Sequence, residues 1–263
     1  LLCNGQSPKL FTTDKELSSS LINQIYQDRN GFIWIATEDG LNRYDGAKFT
    51  IYKHEPNNEH SLAHNFVRTV FEDSKGHLLI GTYIGIQMYD PTTDNFTPLA
   101  KLEDTGETLE SNINSFIERK NGEIWVSGNV LCKLDIKDHL LTVRKVDIAV
   151  TSPGSLFEDK KQNVWMAKGE EGVYQLTPDN QLTLHLSKDN GYVKSICEDQ
   201  RGNIYVGSIR KGLFIYDKER KTFVPVDLKE KGELPVCFLY SGIPNALYIG
   251  TDGKGVAIYN IRT

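Results

Sequence analysis

The feature that most narrows what this chain can fold into is a pattern written several times at a near-constant interval. DRNGFIWIATEDGLNRYD at residues 28–45 returns as DSKGHLLIGTYIGIQMYD at 73–90, and more divergent copies follow. Within each copy apolar and polar residues alternate, a turn interrupts them, and the alternation resumes, which predicts two antiparallel strands joined by a tight hairpin. Aligned on the second strand of the repeat, its central residue falls at Trp34, Leu79, Trp125, Trp165, Tyr205 and Tyr248, at intervals of 45, 46, 40, 40 and 43. A lone hairpin cannot bury its apolar faces in water. A period of this size predicts stacked four-stranded units, the blades of a β-propeller.

Each repeat reads as strand a (NQIYQD, FVRTVFED, INSFIER, GSLFED, VKSICED and PVCFLY in turn), a D-x-x-G turn, strand b around the aromatic residue, a b–c turn, strand c and strand d. Strand d is visible as KFTIYK, NFTPLA and TFVPVD in repeats one, two and five, whereas the sixth repeat reaches Asn260 with strand c complete and strand d missing. The leftover segment PKLFTT at 8–13 is expected to be the outer strand of that sixth blade, because the pairing would remove two exposed edges at once. The expected fold is therefore all-β, with six four-stranded antiparallel blades closed by an N-terminal strand. A ring of seven, with one blade supplied by further chain, is the alternative. Residues 8–263 are expected to form the propeller domain and residues 1–7 to lie outside it. There LLCNGQ resembles the end of a signal-peptide apolar core.

Composition then excludes some functions. With 30 basic against 35 acidic residues and no basic cluster, the chain offers no electrostatic footprint for nucleic acid. No apolar run of about 18 residues occurs, so no membrane-spanning helix is expected. Cys3, Cys132, Cys197 and Cys237 form no C-x-x-C pair and have no His at ligand spacing; they are expected to be free thiols, and neither a metal nor a cofactor is expected.

Recurrence at a fixed blade position points to a structural role. Trp34, Trp125 and Trp165 are expected to pack between sheets. Asp28, Asp73, Asp159 and Asp199 are expected to cap the a–b turn, with Arg119 breaking the series, and Asn23, Asn65 and Asn112 to form turns. Function is sought instead where the repeats differ. Alternating strand direction places the b–c turns and d–a connections on one face, and the a–b and c–d turns on the other. On the first face the b–c turns carry the candidate ligand contacts Glu38, Asp39, Tyr83, Asn129, Glu170, Ser208, Arg210, Lys211, Asp252 and Lys254. Two long polar d–a connections, 53–65 and 101–112, would supply a binding rim. Tyr83 suits stacking on a sugar ring, and Ser208, Arg210 and Lys211 suit hydrogen bonds to hydroxyls or carboxylates. No catalytic residue stands out.

The series D-x-x-G-x-[IL]-[WL]-[IV]-[AG]-T-x-x-G-[LI] resembles the two-component regulator propeller repeat. The opening LSSSLINQIYQDRNGFIWIATEDGLNRYDG is similar to the first blade of periplasmic sensors in hybrid two-component systems of gut Bacteroidetes. The resemblance is weakest in repeats three and four. It implies an N-terminal sensor propeller in the periplasm, part of an inner-membrane receptor in which a second propeller, further domains and a histidine kinase follow. It also implies an oligosaccharide ligand, a homodimeric receptor and control of carbohydrate-utilisation genes, with kinase activity outside this chain. Two rivals stay open. A propeller glycosidase or lyase would need paired carboxylates, but the sialidase motif S-x-D-x-G-x-T-W has one residue between Asp and Gly where Asp28-Arg29-Asn30-Gly31 has two. A protein-interaction or dimerisation propeller would have no small ligand of its own. A WD-type scaffold fits less well, since strand c ends in Tyr-Asp.

Overall fold

The structure is a computed structural model that describes residues 10–13, 16–186, 191–228 and 234–261. The described residues form 24 strands and no helix, arranged in six sheets that follow one another along the chain. This is the all-β, six-bladed propeller architecture that the period predicts. By its internal contacts the chain divides into two compact units, Leu1–Ile113 with Ile136–Val143, and Asn114–Asp135 with Arg144–Thr263.

In the first unit, β1 (Ile22–Gln27), β2 (Ile33–Thr37), β3 (Gly40–Tyr44) and β4 (Phe49–Tyr52) form one sheet. A second is made of β5 (Val67–Glu72), β6 (Leu78–Thr82), β7 (Ile86–Asp90) and β8 (Asn95–Phe96). Their inner strands alternate against each other so that Trp34, Leu41, Val67, Val70 and Ile80 are buried together, with Tyr89 meeting the Trp34 ring edge-on at 4.9 Å. Gly81 shows why a small residue recurs in strand b. A Cβ there would lie 2.6 Å from both Ile113 and Thr69 side chains, so any larger residue would force the neighbouring segment away. β9 (Lys101–Leu102) then pairs in parallel with Thr142 and Val143.

The third sheet begins with β10 (Ser115–Glu118) and β11 (Ile124–Ser127), followed by β12 (Leu131–Lys137) and β13 (Leu140–Lys145). In the second unit β14 (Leu156–Glu158), β15 (Val164–Lys168), β16 (Gly172–Leu176) and β17 (Leu182–Leu186) make the fourth sheet. β18 (Val193–Glu198), β19 (Ile204–Ser208), β20 (Gly212–Asp217) and β21 (Thr222–Pro225) make the fifth. The sixth contains β22 (Val236–Tyr240), β23 (Ala246–Thr251) and β24 (Val256–Asn260). Divergence of repeats three and four does not break the pattern, since both retain their antiparallel strands a to c in register. Trp165 is buried between sheets four and five, with Tyr216 and Phe223 at 5.1 and 5.8 Å, as expected of a recurring Trp.

One expectation needs correction. Among the described residues the sixth sheet has three strands, and Leu10–Thr13 are not in a strand. Phe11 instead packs on Tyr44 and Phe49 of the first sheet, at 5.3 and 5.0 Å, and Thr12 bonds locally to Glu16 and Leu17. Pro8, Lys9 and the signal-like residues 1–7 lie outside the described residues. Asn23 also differs from expectation: it sits in a β-bulge of β1, where its side chain donates to Val67 O at 2.8 Å.

The a–b turns follow the sequence logic closely. Asp159 is buried and accepts four hydrogen bonds, from Lys161 N, Asn163 N, Asn163 Nδ2 and Trp165 Nε1, between 2.8 and 2.9 Å. Asp28 does the same for Asn30 N, Phe32 N and Trp34 Nε1. One carboxylate thus closes the turn and satisfies the buried indole N–H, which would otherwise cost about 1–3 kcal/mol. In repeat three the carboxylate has moved. Glu123 accepts from Trp125 Nε1 at 3.1 Å, and Arg119, in the Asp position, lies over the Trp125 ring at 4.6 Å and pairs with Glu158 at 2.9 Å.

Candidate functional site

Residues that recur hold the blades, so the site is sought on the connections. The longer polar connection, 53–65, is folded on itself by its own side chains. Ser61 Oγ bonds Asn58 O at 2.8 Å and Glu55 N at 3.0 Å, Asn58 Nδ2 donates to Glu55 Oε2, and His54 Nδ1 meets Leu62 O at 2.9 Å. Asn57 takes a positive φ of 66°, which Asn tolerates in a turn. Gln87, almost wholly buried on β7, pins the connection to the sheet. Its Oε1 accepts from Ala63 N at 2.6 Å, and its Nε2 donates to Ser61 O and Thr97 O.

This arrangement leaves a cavity of about 680 Å³ in the first unit. Its floor is apolar, with Ile84, Leu99 and Leu141, and its rim carries His54, Asn58, Glu59, Lys101 and Thr108. That is the composition of a small-ligand site: apolar surface to bury a ring and a few convergent polar groups to orient it. Both long connections, 53–65 and 101–112, contribute residues to the lining. The cavity also runs along the outer strand of the third sheet, since His139 of the β12–β13 turn and Leu140, Leu141 and Thr142 of β13 line it. Asp138 and His139 both take positive φ, giving the tight two-residue hairpin that brings the turn there.

The ten residues expected from the b–c turns do not line this cavity. In the first unit Glu38 is exposed, and Asp39 is held by Lys53 at 2.6 Å and Asn65 at 3.0 Å. Tyr83 is half exposed and shares an aromatic cluster with His64 at 5.6 Å and Phe66 at 6.1 Å. Tyr83 and His64 are chain neighbours of Ile84 and Ala63, which do line the cavity, but the rings of the cluster are not part of its lining.

In the second unit Glu170 and Arg210 come together as an exposed ion pair at 3.2 Å. Asn129, Lys211, Asp252 and Lys254 are exposed. Ser208 is fully buried, and its Oγ accepts from Lys211 N at 3.3 Å, so its place is in closing the turn rather than at the surface. Of the cysteines described, Cys132 and Cys197 are buried free thiols, pushed up to about 11 and about 12 by burial, and Cys237 is half-buried. Such thiols stay protonated and unreactive. No His, Cys, Asp and Glu group of metal-binding size occurs among the described residues.

Comparison with known proteins adds the repeat's identity. Residues 16–39, 61–83 and 187–210 match the two component regulator propeller family. Over 55 residues, 21% of the chain, it is 42% identical to Histidine kinase P4 of Formosa agariphila; the match spans 4% of that protein. The fold is similar to the extracellular domain of a putative hybrid two-component system from B. thetaiotaomicron, with a TM-score of 0.77 at 17% identity. That likeness covers 98% of this chain and 38% of the other. It is also similar to virginiamycin B lyase from Staphylococcus aureus, with a TM-score of 0.65 at 12% identity, over 93% of this chain and 85% of the lyase.

Proposed function

From a chain that carries the two-component regulator propeller repeat, we propose an extracytoplasmic sensor module of a hybrid two-component receptor that binds an oligosaccharide in the first-unit cavity. The observation that carries this reading is the cavity itself, rimmed by the polar connections 53–65 and 101–112 over apolar side chains. Apolar side chains beside amide, imidazole and carboxylate groups match the alternation of C–H and hydroxyl surface on a sugar ring. Binding would act on the receptor by favouring one signalling geometry over another, to the extent that the two differ in affinity. In this reading the remaining receptor domains, a second propeller among them, carry the signal through a homodimer from the periplasm to a kinase and its target carbohydrate-utilisation genes.

A second reading, a docking propeller, draws on the sixth sheet. Phe238, Tyr240, Val256 and Ile258 project from one face of it and are all at least half exposed, an unusual concentration of apolar surface. Calorimetric titration with a panel of neutral and acidic oligosaccharides separates the two. Sensing predicts saturable binding that Asn58→Ala and Lys101→Ala each weaken by about tenfold. Silence across the panel would favour docking, and turnover of any member would favour an enzyme.

A further inference from the structure

The second unit holds a cleft of its own, of about 670 Å³, whose chemistry differs from that of the first. Lys161, from the a–b turn of the fourth repeat, and Lys218 and Lys221, from the c–d turn of the fifth, stand around it. The lining includes no carboxylate, and none of the three ammonium groups is in an ion pair among the described residues. Three other lysines are matched with acids, Lys53 with Asp39, Lys133 with Glu123 and Lys168 with Glu171, all within 2.7 Å, so what sets this cleft apart is the gathering of three ammonium groups around one concavity whose lining holds no acid. Three like charges line one concavity in a chain of net charge -5, and their fields add there. A concentration of one sign of charge in a concave site is the arrangement that draws in a ligand of the other sign.

The wall and floor are ordered. His185 Nε2 meets Gln175 Oε1 at 2.7 Å and its Nδ1 meets Lys221 O at 3.0 Å, which fixes the imidazole between β16 and the β20–β21 turn. Tyr216 packs edge-on against His185 at 5.1 Å and lines the cleft. A half-buried phenol ring and an anchored imidazole lie beneath three mobile cations. Lysine acts toward oxyanions as a flexible point charge, and several together in a concave site concentrate anions through their summed field.

We infer that this cleft is an anion subsite that takes the sulfate or carboxylate groups of an acidic oligosaccharide, with the sugar ring against Tyr216. The saccharide part of this inference rests on the sensor reading; the capture of an oxyanion does not. The test titrates the whole chain with a trisulfated disaccharide, tetragalacturonate, inorganic sulfate and maltotetraose, at low and at physiological ionic strength. The same titrations are run on the Lys161→Ala/Lys218→Ala/Lys221→Ala variant. The three lysines are exposed, so the variant retains the fold, which its circular dichroism and denaturation midpoint verify.

The expected result is binding of both acidic saccharides that weakens with salt and falls by about tenfold or more in the triple variant. An unchanged affinity in the variant, or no binding of either acidic saccharide, overturns the inference. Inorganic sulfate binding as tightly as the disaccharide overturns its saccharide part and leaves a simple anion site. Maltotetraose binding that survives the triple variant, with no response to acidic ligands, would defeat this inference and leave the sensor reading intact. Acidic binding lost in the triple variant, with no effect of Asn58→Ala on any ligand, would do the reverse for the first cavity.

Discussion

The cavity of the first unit and the cleft of the second are nearly equal in volume, about 680 and about 670 Å³, and share almost no chemistry. One has an apolar floor under a rim of imidazole, amide, carboxylate and a single lysine, and suits a neutral polyhydroxylated ring. The other sets three lysines around a tyrosine and a histidine, and suits an oxyanion. Both are framed by strands of the same repeat. In the reading proposed above, the repeat supplies the walls while the side chains that turns and connections add to them would choose the ligand, a division common to folds that host many functions.

The comparison can be broken most severely from beneath. Asp159 holds the turn that carries Lys161 and the indole of Trp165 that packs against Tyr216. Asp159→Ala leaves four buried or part-buried donors without their acceptor and is expected to destabilise the protein by about 4 kcal/mol. Urea denaturation measures this, and a loss under about 1 kcal/mol would show that the carboxylate is dispensable. The matching blow to the first unit is Gln87→Ala, which frees the connection 53–65 from β7. Its expected cost is about 2–3 kcal/mol, and it should abolish binding in the first-unit cavity while leaving the lysine cleft responsive to anions.

A smaller effect sharpens the contrast through pH. Burial lowers the pKa of His185 below its usual value, so the folded state prefers the neutral ring. Because the folded value is depressed, this contribution is complete above the unfolded pKa of about 6.5 and is lost as pH falls through the folded value. The hydrogen bond to the Lys221 carbonyl acts in the opposite direction and offsets part of the effect of burial. The wild type should accordingly lose stability on acidification through that window relative to His185→Gln, whose denaturation midpoint should lack this step. Parallel curves for the two proteins would show that His185 is not the titrating group.

Much of the scaffold was legible because its signal is periodic. The strand b aromatics, the capping Asp residues and the strand order each recur, and recurrence within one chain separates what the blade needs from what it carries. Glu123 was not legible: it does Asp159's work for Trp125 from a different position, two residues before the indole, where no repeat aligns with it. The strand at Leu10–Thr13 was misplaced because alternation predicts a strand but does not name its partner, and Phe11 found aromatic contacts on the first sheet. Neither cavity could be read in advance. Each joins residues far apart in sequence, His54 with His139 or Lys161 with Lys218, and the only local hint was the density of lysine at 160–161 and 218–221.

The central claim, that two cavities of one repeat fold select ligands of different charge, is tested most directly by a crossed calorimetric titration. Neutral and acidic oligosaccharides are each titrated into the wild type, Asn58→Ala and the triple lysine variant. The account predicts that Asn58→Ala weakens the neutral ligand alone and that the lysine variant weakens the acidic ligand alone. Equal losses for both ligands in both variants, or no loss in either, would contradict it.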